Sequence, residues 1–404
     1  MIINYLKQIF PRLNIMVINQ LSVLISIPWI ASKLSAEIFG LVSTAIILLQ
    51  LSWMIIQWGF NHYATEIWSK NLNQFKQNKL VSQLLFAQIY LFIFFIIFSW
   101  TLLYFNFINL PWSFFYALVI PIFFGGLFPL WFFTIQKSTI DLVKITLASR
   151  ILFLFLIFSF VNKDTDAVNY IYIQGISFSI ITLFSFYFMV KKYQFKLIVN
   201  DFRFGINHIF SCIPFFINSI TNNYISCLWG FALSLGSASP VLIGYYSIAD
   251  HIYRAGLSVT ETVGQVAHVF SKDITYINTV FITKIIFVSY ILILFLGLIF
   301  IEKLILNFFS FDYHGVIFIL KLIILAWFFQ SVSKLYGYPV LGKLKGPIIV
   351  NKIGNIFLVL HLFSMFLWLL TSKDLISLVV ILTIINFFHF FIIIFLNFKY
   401  KFFK

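Results

Sequence analysis

Asp250, Arg254, Glu261, Gln265 and His268 follow one another at intervals of 4, 7, 4 and 3 residues. At 3.6 residues per turn these intervals place all five on one stripe of a single helix. A charged side chain at mid-bilayer costs at least ~2.5–3.5 kcal/mol on insertion scales, so such groups face a protein interior or a water-filled cavity. Asp250 and Arg254 are an i,i+4 pair with the acid N-terminal, the favourable order. Arg254 lies 14 residues beyond Pro240, roughly 21 Å along a helix and so near mid-bilayer. A guanidinium there could hold a polyanionic head group, and Asp250 or Glu261 could titrate or take a cation. The alternative is a structural ion pair that merely neutralises itself, which leaves Glu261, Gln265 and His268 unexplained.

Amides gather on two further apolar stretches: Asn218, Thr221, Asn222 and Asn223 over 208–231, and Asn14, Asn19 and Gln20 over 12–31. Amides on such stretches could contact a substrate, or could be inter-helix glue worth ~0.6 kcal/mol each. Gln57, Asn61, His62 and Glu66 lie near the end of a second stretch, Arg150 on a fifth, and Lys352 and Asn355 on an eleventh. Arg150 and Lys352 could snorkel to an interface, or combine with Arg254 into a cavity that is cationic toward the cytoplasm. Histidines are scattered and no metal-ligand spacing occurs. No phosphate-cradling loop appears, and no Ser/His/Asp set can be chosen without arbitrariness. Transport without covalent chemistry and with no cofactor is the expectation; the chain reads as no enzyme.

The elements that must carry these residues follow from composition. Of 404 residues 62% are hydrophobic and only 10% charged, against about 25% charged in soluble domains. At about 20 apolar residues per crossing this suffices for roughly twelve spans. That excludes a soluble enzyme, a nucleic-acid binder and any large extramembrane domain. The spacing predicts spans near 12–31, 40–63, 80–105, 112–135, 145–161, 168–190, 208–231, 240–270, 280–301, 316–333, 347–371 and 375–397. With the N-terminus inside, 21 Lys and Arg fall on cytoplasmic segments and 5 on outer ones, so the net charge of +15 reads as the positive-inside rule. Removing the polar eighth span would reverse every later loop and move nine clustered cations outside. Cys212 and Cys227 lie 15 residues apart on one predicted helix, roughly 22 Å, too far for a disulfide. No small-residue cleavage site follows the first apolar stretch, so it reads as a retained span.

The expected fold is therefore an all-α polytopic membrane protein of about twelve transmembrane helices in two six-helix bundles around a central cavity, both termini cytoplasmic. The division runs 1–190, a linker 191–207 and 208–404. That linker mixes Tyr193, Phe195, Lys196, Phe202 and Arg203, suiting an amphipathic segment on the inner surface or a hinge. Gly40, Ser43 and Ala45 recur as Gly244, Ser247 and Ala249 at an offset of 204. Six spans is an even number, so the halves would be parallel repeats about an axis along the membrane normal. With only 17 glycines, no helix break can be located.

Asn19-Gln20 in an apolar helix, Ala36-Glu37-Ile38-Phe39-Gly40-Leu41, Trp58-Gly59-Phe60-Asn61 and Ala64-Thr65-Glu66-Ile67 carry a resemblance. In these, and in length, span count and basic inner loops, the chain resembles the Wzx-type O-antigen flippases. These belong to the polysaccharide-transporter branch of the multidrug/oligosaccharidyl-lipid/polysaccharide exporter superfamily. The resemblance implies a V-shaped pair of bundles in the bacterial inner membrane. It also implies movement of an undecaprenyl-pyrophosphate-linked oligosaccharide from the cytoplasmic to the periplasmic leaflet, by ion-gradient-driven alternating access. Arg254, Arg150 and Lys352 would attract the pyrophosphate, Asn218, Asn222, Gln265 and Asn19 would meet sugars, and Asp250 or Glu261 would couple the ion, H+ or Na+. Membrane lipids, an O-antigen polymerase and a chain-length regulator would be partners, and nucleic acid would not. Three alternatives stand: a drug/cation antiporter of the superfamily, which usually has an acid in span one; an O-antigen polymerase, a glycosyltransferase with a long periplasmic loop; and a longer lipid II flippase.

Overall fold

The computed structural model describes residues 2–68, 73–136, 139–236, 239–273, 276–308, 315–371 and 373–400. Every regular element among them is helical. In chain order these are α1 (Ile2–Lys33), α2 (Ala36–Gln57), α3 (Phe60–Trp68), α4 (Gln74–Tyr104), α5 (Trp112–Gly126), α6 (Leu130–Ile135), α7 (Thr139–Phe160) and α8 (Ala167–Lys191). Then come α9 (Gly205–Ser211), α10 (Ile213–Ser219), α11 (Ile225–Leu235), α12 (Pro240–Asp273), α13 (Tyr276–Phe308), α14 (Val316–Tyr336), α15 (Gly342–Lys345), α16 (Pro347–Leu370) and α17 (Leu375–Lys399).

Nine stretches among the described residues are long and apolar enough to cross a membrane, and the chain is a multi-pass membrane protein. The three other expected spans fall on α1, on the segmented stretch α9–α11, and on α12, whose polar stripe interrupts its apolar run. Lipid-facing rows are large and apolar, for example Phe155, Leu292 and Phe363, each more than half exposed. In water such rows would be a liability; in hydrocarbon they are the required surface.

Two compact units form, and they do not follow the halves of the sequence. One holds 37–237; the other holds 1–36 together with 238–404. The expected boundaries at 190 and 208 are thus not where the contacts divide. The reason is that α1 packs along α12, while α9 packs on α4 and α10 on α3. The opening helix of each half is built into the unit of the other half.

Within the 37–237 unit, α5 and α8 form the main pair, with α7 against α8. Pro121 interrupts the α5 ladder, and polar side chains bond carbonyls near its second half. Trp53 Nε1 donates to the Pro121 carbonyl at 3.2 Å, Thr182 Oγ1 to Phe124 at 2.7 Å and Gln88 Nε2 to Gly126 at 3.0 Å. Ser149 and Ser177 join α7 to α8 through a 2.8 Å hydroxyl contact. Trp58 and Gly59 take positive φ values of 41° and 76° and break the second span between α2 and α3. A Cβ at Gly59 would strike the Phe215–Phe216 backbone, so glycine is needed there for both dihedral and space.

In the other unit α14 is central, packed by α12, α13 and α17. Thr260 and Ser331 bond across α12 and α14 at 2.9 Å, and Asn397 Nδ2 donates to the Tyr336 carbonyl at 3.2 Å. Asp374 caps α17 by accepting from the Ser377 N–H at 3.0 Å. Beyond α14 lies a π-helical turn, Gly337–Leu341, and a second one, Ile220–Tyr224, joins α10 to α11.

The two units share a plan. The pair α5/α8 in one corresponds to α14/α17 in the other, the fourth and sixth spans of each half. Gly125 on α5 leaves room only for the Trp53 indole of α2, and Gly256 on α12 leaves room only for the Trp327 indole of α14. The same second-to-fourth-span wedge is made with tryptophan and glycine exchanged. Gly40, Ser43 and Ala45 are buried, as are Gly244, Ser247 and Ala249. The faint sequence echo therefore falls on matching packed positions.

Candidate functional site

The ion pair expected from the sequence is formed on α12. Arg254 Nε lies 2.7 Å from Asp250 Oδ2, with side chains 14% and 4% exposed. The second carboxylate oxygen, Oδ1, is buried without a hydrogen-bond partner among the described residues. Keeping a half-bonded carboxylate out of water is costly, and replacing such pairs by apolar residues is often neutral or stabilising. Its polarity is thus poorly explained by stability alone. His251 is buried beside it and within its field. Tyr253, one position before Arg254, meets the side chain of Asn386 on α17, and both are buried. Asn19 is half-buried on α1, the helix that packs along α12. A guanidinium paired with a carboxylate is in general able to bond a phosphate oxygen in its place.

Arg150 is held differently. It is 4% exposed and sits at the middle of α7, so it does not snorkel to an interface. Its guanidinium lies 4.4 Å from the Phe178 ring centroid and 5.5 Å from that of Phe153. Nη1 donates to Gln174 Oε1 at 3.4 Å, and Gln174 Nε2 donates to the Tyr170 hydroxyl at 3.2 Å. Trp53 presents its ring edge-on to Phe178 at 4.5 Å.

Lys352 is exposed near the start of α16, as a snorkelling lysine would be. Asn218 is half-buried on α10. The side chains of Glu261, Gln265, His268 and Asn222 lie outside the described residues. Of the nine residues proposed from sequence, Asp250 and Arg254 are brought into contact. Asn19 and Lys352 share their unit, whereas Arg150 and Asn218 belong to the other.

Two polar clusters escaped the sequence reading. In the 37–237 unit, His208 is bonded at both ring nitrogens, to the Tyr63 hydroxyl and to Gln83 Oε1, each at 2.8 Å. Beside it Trp58 Nε1 donates to the Ile209 carbonyl at 2.8 Å and the Trp58 ring stacks on Phe216 at 3.8 Å. Together these dock the segmented seventh span on the break in the second. The sequence signal at this place was the tetrapeptide Trp58-Gly59-Phe60-Asn61, which carried the resemblance and names no partner. The second cluster, His361 and His389, lies on α16 and α17, which pack together. Phe357, one helical turn before His361, stacks on the His389 ring at 4.6 Å.

Comparison with known proteins gives a consistent family. Residues 6–272 match the family described as polysaccharide biosynthesis protein. No curated protein matches the chain. Among solved structures, the fold is similar to an inward-facing multidrug resistance MATE family transporter of the MOP superfamily. That likeness has TM-score 0.62 and 12% identity, over 94% of this chain and 95% of that one. It is also similar to a mutant of the Vibrio cholerae MATE transporter VcmN, at TM-score 0.53 and 14% identity, over 98% and 96%. A MATE structure in complex with MaL6 gives 0.50 and 12%, over 98% and 96%. These likenesses establish a MATE-like fold for the whole chain and leave its substrate to be argued from its own residues. With well over half of its length matched, the chain belongs to the polysaccharide biosynthesis protein family.

Proposed function

We propose that the chain is a flippase that carries an undecaprenyl-diphosphate-linked oligosaccharide from the cytoplasmic to the periplasmic leaflet of the bacterial inner membrane, by gradient-coupled alternating access. The observation that carries this reading is the buried Asp250–Arg254 pair in the middle of a spanning helix of a polysaccharide biosynthesis family member. The diphosphate displaces Asp250 from Arg254, giving the guanidinium a bidentate partner. The released Asp250 then has a reason to take up a cation, which links substrate to gradient. Asn19, Asn218, Asn222 and Gln265 offer amides for sugar hydroxyls, and Glu261 shares the coupling stripe. Arg150, closed in by Phe178, Phe153 and Gln174, holds α7 to α8, and Lys352 anchors the inner end of α16. Twelve spans with both termini cytoplasmic complete the proposed topology.

A second reading, a drug or cation antiporter, is favoured by the multidrug transporters that share the fold. A cationic drug needs an available carboxylate, and Asp250 is already held by Arg254. Complementation separates the two. In a strain lacking its own O-unit flippase, the chain restores surface polysaccharide if the flippase reading holds. Lipid-linked units that stay inside, with drug export raised, would establish the antiporter instead.

A further inference from the structure

We propose that the connector between α8 and α9, residues 192–204, is a docking strap for anionic phospholipid of the adjoining membrane leaflet, an inference independent of the transported substrate. The strap is held in place at both ends. Gln194 turns the chain away from α8 with a φ of 52°, and the Phe195 N–H donates to the Met189 carbonyl at 3.0 Å. Phe195 is buried, and Tyr193 meets the rings of Phe132 and Phe133 on α6 edge-on at 5.4 and 6.1 Å. The Ile198 N–H donates to Ser82 Oγ of α4 at 2.9 Å. Just beyond the strap, a Cβ on Gly205 would lie 3.0 Å from the Gln83 carbonyl oxygen and the Ala87 nitrogen, so the backbones are in close approach. These contacts all lie within the 37–237 unit.

The depth of the strap follows from α4. Trp100 and Tyr104, stacked at 5.0 Å and both exposed, are the amphipathic aromatics that mark a membrane–water boundary. A hydrocarbon layer of roughly 30 Å corresponds to about 20 residues of helix. Counting back from Trp100 and Tyr104 puts the opposite boundary at roughly positions 80–84, where Ser82 and Gln83 meet the strap.

Two kinds of side chain emerge there. Leu197, Val199, Phe204 and the adjoining Ile206 are each about half exposed. Lys192, Lys196 and Arg203 are exposed among them, and Lys79 Nζ of α4 lies 5.4 Å from the Phe204 ring centroid. Against these cations the strap carries one acid, Asp201. Water suits the cations and not the apolar row, and hydrocarbon suits the row and not the cations. The boundary meets both needs, with the apolar side chains among acyl chains and the cations level with the phosphates. The excess of positive charge selects a lipid of net negative charge over a zwitterionic one. A soluble protein would have to cover the apolar row at a depth that lipid already fills.

The test uses the full chain with Leu197→Cys labelled by bimane, in nanodiscs of phosphatidylcholine and phosphatidylglycerol. Cys212 and Cys227 are buried, so the chain without that substitution is the unlabelled control. An acyl-chain nitroxide is placed on one lipid at a time, at equal mole fraction. Bimane quenching by nitroxide-phosphatidylglycerol is expected to exceed quenching by nitroxide-phosphatidylcholine, and Lys192→Gln/Lys196→Gln should bring the two level. Quenching by neither lipid would place the strap in water, open to a soluble partner, and overturn the proposal. Equal quenching by both lipids with the lysines in place would overturn it as well. A preference unchanged in the double variant would assign the selectivity to other cations and remove it from the strap. Should the double variant not reach the membrane, ionic strength decides with the lysines in place. Salt should shrink the phosphatidylglycerol excess and leave quenching by phosphatidylcholine undiminished, and an excess insensitive to salt would overturn the electrostatic selection.

Discussion

Arg150 and Arg254 are both arginines in the middle of long helices, and the two units neutralise them by different means. Arg254 faces a carboxylate one turn earlier on its own helix, at 2.7 Å. Arg150 is covered by the faces of Phe178 and Phe153 and capped by Gln174. A carboxylate is an anion that another anion can replace, and it swings away on two rotatable bonds. Aromatic faces supplied by two packed helices have no such competitor, and a diphosphate could not reach the cation without unpacking α7 from α8. The same residue type thus meets a carboxylate in one unit and aromatic faces with an amide in the other, and the proposed exchange rests on that difference.

The largest expected effect lies at the exchangeable site. Arg254→Gln leaves Asp250 buried without its counter-charge, a loss of ~3–5 kcal/mol for a buried pair broken on one side, so protein level and surface polysaccharide should both fall. Combining it with Asp250→Asn should restore the level, read by membrane immunoblot, without restoring polysaccharide. A double variant that makes normal polymer would reduce the pair to a structural role and erase the contrast with Arg150.

Arg150→Met tests the other side. It removes a desolvated cation–π contact worth about 2 kcal/mol and one amide bond. Thermal unfolding in detergent should therefore shift downward, while polysaccharide per folded molecule stays at the native level. Transport lost out of proportion to folded protein would make Arg150 a substrate residue after all.

A smaller effect is expected where the units repeat one another. Gly125→Ala and Gly256→Ala should each cost about 1–3 kcal/mol by overpacking against an indole, and Trp53→Phe and Trp327→Phe respectively should relieve them. Rescue in one unit but not the other, by the same unfolding measurement, would show that the wedge is not a shared device. Smallest of all, Lys352→Ala should change stability by less than about 0.5 kcal/mol and leave polysaccharide intact.

How much of this was legible in the sequence differs by kind of feature. Asp250 and Arg254 could be paired from their spacing, because an i,i+4 contact is local and helix geometry alone decides it. The apolar runs gave up most spans for the same reason. The segmentation of the second and seventh spans was not legible, since Trp58 adopts a positive φ that no propensity favours, and the π turn at 220–224 reflects packing around it. Nor was the exchange of α1 into the unit of α12, which depends on which partner wins in three dimensions. Whether Arg150 snorkels or turns inward was not legible, because a cation near a predicted span end looks alike in either case. His361 and His389 stand 28 residues apart, and only pairing α16 with α17 reveals them as neighbours.

The most direct test of the account is the translocation rate of a diphosphate-linked oligosaccharide in proteoliposomes holding the native chain or the Asp250→Asn/Arg254→Gln double variant at equal folded amount. The account predicts transport by the native chain and none by the variant. Equal rates in the two would contradict it.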